Sequence, residues 1–167
     1  GVDFGQPFDG INVRNGILRF LNGDWVLGPH DKELYQISQL PVSYTPDVPA
    51  PRFTQFLAEI FRGDSDASSK EKLLLELAGY TLLTTARHEK FTILYGKPGA
   101  GKSMVLAVIQ GLCGVENVAA VTPERLDNSF QRAFLHGKLA NIVTEIAEGA
   151  VINDAALKSI TSGELTT

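Results

Sequence analysis

The chain has 167 residues, of which 44% are hydrophobic and 20% charged, a composition typical of a folded globular protein. A net charge of −4 argues against a strongly basic, stand-alone nucleic-acid coat, and no apolar run approaches the ~20 residues of a membrane span. Cys113 is the only cysteine, which excludes an internal disulfide and a cysteine-based zinc site and favours a reducing cytoplasm. We expect its thiol to be a small buried hydrophobic group.

Residues 1–52 are predicted to form a β-rich segment that ends in a proline-rich connector. Two Asn-Gly pairs, at 15–16 and 22–23, are two-residue turn signals, and the apolar segments beside them predict a hairpin with a third strand. Trp25 could stack on a ligand, but packing within the hairpin is the stronger interpretation. The prolines between residues 40 and 52 favour an extended connector.

Residues 53–89 are predicted to form a helical layer. Apolar residues at three- and four-residue steps predict a first amphipathic helix that Gly63 ends. A second helix is predicted to open at Ser68, with Glu71 as its partner in a capping box, and to run toward His88. The many leucines of this second helix predict burial on most of its faces.

Residues 90–167 contain the most specific motif of the chain, a loop that fits G-x-x-x-x-G-K-[ST] and is predicted to cradle nucleotide phosphates. An apolar segment at 91–95 is predicted to enter the loop as a strand, and helical periodicity follows it. The ammonium of Lys102 is expected to reach the β- and γ-phosphates, and the hydroxyl of Ser103 to ligate Mg²⁺. The predicted nucleotide-binding residues are Gly96, Lys97, Pro98, Gly99, Ala100, Gly101, Lys102 and Ser103.

Two more strands, at 117–122 and 139–145, are predicted after the loop helix and would form a parallel sheet. Glu145 ends the second of them, where a P-loop enzyme places its magnesium-binding or water-positioning carboxylate. Glu148 is a weaker candidate for the same role. An ordinary solvated glutamate at a strand end is the alternative for both positions.

Four stretches together resemble the helicase part of phage- and plasmid-type primase-helicases, a branch of the superfamily 3 helicases. The stretches are residues 16–21 with 28–30, residues 77–83, residues 96–103, and residues 137–145 with 157–164. The resemblance implies an α/β fold with an AAA+-like P-loop NTPase parallel sheet, C-terminally incomplete, preceded by the β-rich segment and the helical layer. It also gives Lys158 a place in a motif that periodicity alone would not assign.

The resemblance further implies an ATP-driven DNA helicase or translocase used in DNA replication in the cytoplasm of a bacterial host. Mg-ATP would bind at the loop, with Lys102 and Glu145 as catalytic residues and Ser103 and Glu145 as magnesium ligands. The complete protein would act on single-stranded DNA as a ring, a homo-hexamer, with no membrane partner. An arginine finger would come from the neighbouring subunit.

The sequence departs from the family pattern at several positions. Thr144 stands where related motors often carry a second acid, and Arg125 and Arg132 lie too early to serve as the arginine finger. The sensor residue, the DNA-contacting hairpin and the finger are expected beyond Thr167, so we expect a fragment of a longer protein that is inactive in isolation. A P-loop kinase and a non-catalytic nucleotide-binding or docking module are the alternatives.

Overall fold

The computed structural model describes residues 10–146, 149 and 154–162. Its strands are β1 Gly10–Val13, β2 Gly16–Leu21, β3 Asp24–Gly28, β4 Val118–Ala119 and β5 Ala140–Asn141. Its α-helices are α1 Pro51–Ile60, α2 Ala67–Thr81, α3 Lys102–Cys113, α4 Ser129–Ala133 and α5 Asp154–Ser162, and its 3₁₀ turns are Lys32–Leu34, Val115–Asn117 and Pro123–Arg125. Among the described helices, none has the length and apolar character needed to cross a membrane.

The N-terminal sheet is antiparallel with the order β1-β2-β3, which confirms the predicted hairpin and its third strand. Phe20 lies opposite Trp25 in the β2–β3 register. Gly16 adopts φ of +149°, and a Cβ there would collide with the carbonyl oxygen of Gly28. Glycine is therefore required where the first turn enters β2.

The proline-rich connector lies beside β1 rather than in open solvent. The amide of Leu40 donates to the carbonyl of Asn12 at 2.8 Å, and that of Arg14 donates to the carbonyl of Val42 at 2.9 Å. Tyr44 packs against the small core formed by β1, β2 and Leu40. These hydrogen bonds join the connector to β1 and not to itself, as a helix would require. They confirm the extended connector that the prolines predict.

The two central helices occur where expected, but the boundaries of α2 differ from the prediction. The helix begins at Ala67, and no side chain caps it, so the capping box at Ser68 is wrong. Lys70 instead lies 2.6 Å from a carboxylate oxygen of Asp64 and 2.9 Å from one of Asp66. The hydrogen bond with Asp64 raises the pKa of Lys70, and the bond with Lys70 lowers the pKa of Asp66.

The length and burial predicted for α2 are also wrong. The helix ends at Thr81 rather than near His88, and residues 86–89 form a turn in which the amide of Glu89 donates to the carbonyl of Ala86 at 2.8 Å. None of its described residues is fully buried, and Leu73 remains 65% exposed. Leu74, Leu77 and Ala78 pack against the α3 core, whereas Leu73 and Leu75 remain exposed.

Strands β4 and β5 pair in parallel, as predicted, although both are shorter than expected. The side-chain amide of Asn141 donates to the carbonyl of Val121 and accepts from its amide, each at 2.8 Å. These side-chain bonds continue the connection between the two strands beyond the last backbone pair. The last backbone bond between the segments is donated by Ile142 to Ala119 at 2.9 Å, and the side chain of Asn141 joins them further at Val121.

Helix α3 carries the central core of the described structure. Its buried residues Val105, Ile109 and Cys113 contact side chains of α1, α2, β4 and the segments around residues 94, 139 and 142. Cys113 is 0% exposed, which confirms its prediction as a buried hydrophobic group, and burial raises the pKa of its thiol to about 11. Gly114, with φ of +87°, ends the helix as predicted.

Residues 91–95, predicted as a strand, lie outside every described strand. Leu94 packs against the α3 core, but Ile93 is 67% exposed and Tyr95 99% exposed. A strand needs at least one hydrogen-bonded neighbour, and no described segment pairs with this one. The segment therefore reaches the loop without a ladder partner.

Candidate functional site

The candidate site is the loop of residues 96–103, and its first half is a tight turn. Pro98 occupies the second position of the turn and Gly99, with φ of +79°, the third. The amide of Ala100 donates to the carbonyl of Lys97 at 3.2 Å and closes the turn. Proline followed by a glycine with positive φ is the residue pair that a type II turn requires. The motif thus folds the chain sharply back toward α3.

The second half of the loop is the start of α3. Gly101 is the N-cap residue, with φ of +82°, and no side chain caps the helix. The first helical hydrogen bond of this turn is donated by Val105 to Gly101 at 3.0 Å. The amides of Lys102, Ser103 and Met104 consequently have no partner within the helix. Together with the helix dipole, they form a region that attracts an anion.

The ammonium of Lys102 lies across the loop that precedes it. Its Nζ donates to the carbonyl of Gly96 at 2.8 Å and to that of Lys97 at 2.9 Å. These bonds draw the two ends of the loop together around one positive charge. A phosphate group placed at the helix start would take over part of this hydrogen bonding, because an anion is a stronger acceptor for an ammonium than a carbonyl is.

All charged residues in the loop and in the segment that leads into it are positive. Lys90, Lys97 and Lys102 lie between Glu89 and Glu116, and this interval contains no acidic residue. Residues 96–100 are exposed to solvent. The loop therefore offers an accessible positive site in a chain whose overall charge is negative.

Helix α1 packs against the end of the loop at Gly101, a contact that the sequence does not predict. A Cβ built on Gly101 would lie 2.7 Å from Cγ2 of Ile60 and 3.4 Å from ring atoms of Phe56. Both side chains also pack against the α3 core. The amphipathic pattern of α1 predicts that this face is buried, but no local signal indicates that the loop is the surface it meets.

The acidic candidates are not joined to the loop by any described contact. Glu145 is exposed, lies beyond β5 and, among the described residues, forms no hydrogen bond or ion pair with residues 96–103. Glu148 lies outside the described residues. Ser103 is exposed at the second position of α3. The described residues also contain no group of three or more metal-binding side chains.

The remaining basic candidates have separate surroundings. The guanidinium of Arg132 donates to the carbonyls of Leu126 and Asp127, both at 2.9 Å, and so holds the turn before α4. Arg125 is exposed in the 3₁₀ turn Pro123–Arg125. Lys158 is exposed on α5.

Two family models match parts of the chain. Residues 5–62 match the family described as "D5 N terminal like", and this domain is the N-terminal part of phage and plasmid primase-helicase proteins. The match supports a relation to primase-helicases and a DNA-replication context. Residues 94–167, which include the loop, match a family of unknown function (DUF5906).

Proposed function

We propose that the chain binds Mg-ATP at residues 96–103 and is the ATPase motor segment of a replicative primase-helicase that moves on DNA. The observation that carries the proposal is the uncapped start of α3, where a glycine N-cap leaves helix amides available and Lys102 lies across the loop. Phosphate recognition needs both an array of amides and a positive charge in one place. The proposed fold is the α/β P-loop NTPase class, with β4 and β5 as part of its parallel sheet.

The residues present fit a magnesium-bound triphosphate. The loop is accessible and positively charged, and its turn glycine has φ of +79° with no atom within 4 Å of a Cβ position, which leaves space beside the backbone. We propose Ser103 as one hard oxygen ligand and Glu145, which no described contact joins to the loop, as a second, because Mg²⁺ usually takes one or two protein oxygens together with phosphate oxygens. The bound ion would neutralise charge on the phosphates.

The proposed roles divide between three side chains. Lys102 donates hydrogen bonds to the phosphate oxygens and stabilises the charge that develops as the terminal phosphoryl group leaves. The hydroxyl of Ser103, at the start of α3, would bind Mg²⁺. Glu145 accepts a hydrogen bond from the attacking water and aligns it with the bond that breaks. In the complete protein, we propose that single-stranded DNA passes through a homo-hexameric ring of these motors.

The test compares the chain with its Lys102→Ala variant. Calorimetry should give an Mg-ATP affinity about 10-fold or more below that of the parent, because removal of a charged hydrogen-bond donor costs about 1.5–3 kcal/mol. Lys72→Ala is the matched control, since Lys72 is an exposed lysine of α2 that lies 3.8 Å from Glu76, away from the loop. Equal affinity in the parent and the Lys102→Ala variant would refute the site.

The motor itself requires a second measurement on the longest available form of the protein. ATP turnover should rise with single-stranded DNA and be lost in the Lys102→Ala variant. Transfer of phosphate to a nucleoside rather than to water would indicate a kinase instead. The lack of a described contact between Glu145 and the loop favours one further candidate, a nucleotide-binding or docking module without catalysis. Mg-ATP binding with no turnover in any form would support that module.

A further inference from the structure

A groove lined by aromatic side chains continues from the core face of the N-terminal sheet, since Phe20 lies two residues beyond the buried Leu18 and pairs with Trp25. One part, of about 350 Å³, is lined by Phe20, Trp25, Leu83 and Arg87. A larger part, of about 840 Å³, shares Trp25 and Leu83 and continues along α2 to residues 88–94. We call these two parts together the aromatic groove; none of residues 96–103 is among its lining residues, which reach Leu94.

The rings of the groove are paired and accessible. The ring centroids of Phe20 and Trp25 are 5.4 Å apart with the planes inclined at 58°. Their side chains belong to residues that are 57% and 43% exposed, an unusual exposure for large aromatic groups on a sheet. Tyr80 and His88 form a second pair, 5.1 Å apart. Trp25 therefore packs within the hairpin, as predicted, but part of its indole ring remains exposed to solvent.

Two basic residues line the groove and could bind the phosphates of a nucleic acid. Arg87 lies with the Phe20–Trp25 pair, and Lys90 lines the continuation of the groove. Glu76 is the acid among the lining residues, and a carboxylate oxygen of it lies 3.8 Å from Nζ of Lys72. Its charge is therefore partly balanced by a neighbour. Flat apolar rings beside a guanidinium and an ammonium are suited to bases that carry phosphates.

We propose that the aromatic groove binds single-stranded nucleic acid, with bases stacked on Trp25 and Phe20 and phosphates held by Arg87 and Lys90. The inference rests on the proposed function only in the choice of single-stranded DNA as the probe. Stacking on exposed rings does not depend on base identity, so the groove would hold a strand without reading its sequence. A second copy of this chain is the competing occupant, because apolar exposed surface also promotes self-association.

Trp25 is the only tryptophan of the chain, so its fluorescence reports directly on the groove. Titration with oligothymidylate should quench this emission. Binding of a labelled oligonucleotide should weaken about 5-fold or more in Trp25→Leu, given the ~1–3 kcal/mol per stacked base found by substitution. In Arg87→Gln, the slope of log affinity against log salt should fall by about 0.7 for each phosphate that is no longer neutralised.

The matched control is Phe130→Ala, which removes an aromatic residue that is 82% exposed on α4 and does not line the groove. It should bind the oligonucleotide as the parent does. Lys102→Ala should also retain binding when no nucleotide is added, so that failure of the ATP site and failure of the groove are distinguishable. The proposal would be overturned if the oligonucleotide did not quench Trp25, or if the parent and both groove variants bound it equally. It would also be overturned if Trp25→Leu changed only the self-association of the chain.

Discussion

Gly101→Ala tests whether the phosphate loop depends on its contact with α1. The substitution places a Cβ at φ of +82°, which costs about 1–2 kcal/mol for an L-residue. The same Cβ would lie 2.7 Å from Cγ2 of Ile60, closer than a non-bonded contact allows. Overpacking of this kind costs about 1–3 kcal/mol, because either the isoleucine or the start of α3 must move. We expect the free energy of unfolding to fall by the sum, about 2–5 kcal/mol.

Gly99→Ala is the matched control for backbone strain. Its φ of +79° is nearly the same, but no atom lies within 4 Å of its Cβ position. Urea unfolding followed by circular dichroism should therefore show a smaller loss for Gly99→Ala than for Gly101→Ala. In an Ile60→Ala background, Gly101→Ala should cost about as little as Gly99→Ala, since the contacting methyl group is gone. Equal losses for the two glycine variants in the parent background would refute the role of α1.

Two further predictions concern the α3 core and the parallel strands. Burial raises the pKa of Cys113 to about 11, whereas an exposed thiol has a pKa near ~8.5. Between these two pH values the unfolded chain loses a thiol proton that the folded chain keeps, so stability falls as the pH rises. The unfolding free energy should fall by about 2–3 kcal/mol between about pH 8 and pH 10.5, and Cys113→Ala should lack this part of the decline; identical pH profiles would contradict it. Asn141→Ala should cost about 1–3 kcal/mol by leaving two backbone groups of Val121 unpaired, and hydrogen exchange should show faster exchange at the Val121 amide; unchanged protection would contradict this assignment.

Features encoded by neighbouring residues could be predicted from the sequence. Asn22-Gly23 forms the hairpin turn with both residues at positive φ, 54° and 94°, because these residue types adopt that conformation at little cost. Gly114 ends α3 for the same reason. The phosphate loop is recognisable because proline, glycine and lysine each have a fixed local task in it. Nucleotide binding by this loop stays a prediction.

Features decided by distant partners could not be predicted in this way. The leucine content of α2 indicates a helix, but burial depends on what covers each face, and Leu73 and Leu75 are left exposed. Residues 91–95 have the composition of a strand, yet a strand exists only with hydrogen-bonding neighbours. The place of Glu145 beyond β5 likewise depends on how far the ladder extends. Ile60 gives no sign in sequence that its methyl group meets Gly101.

The contact between α1 and Gly101 joins the two parts of the chain that match different families. Ile60 lies in the match of residues 5–62, and Gly101 lies in that of residues 94–167. Only glycine leaves room for the isoleucine at this point, and the same glycine begins the helix whose amides are proposed to meet phosphate. We therefore predict that a ligand bound at the first turn of α3 strengthens the packing of α1. By thermodynamic linkage, the packing of α1 would then favour that ligand to the same extent, so Ile60→Ala should weaken Mg-ATP binding.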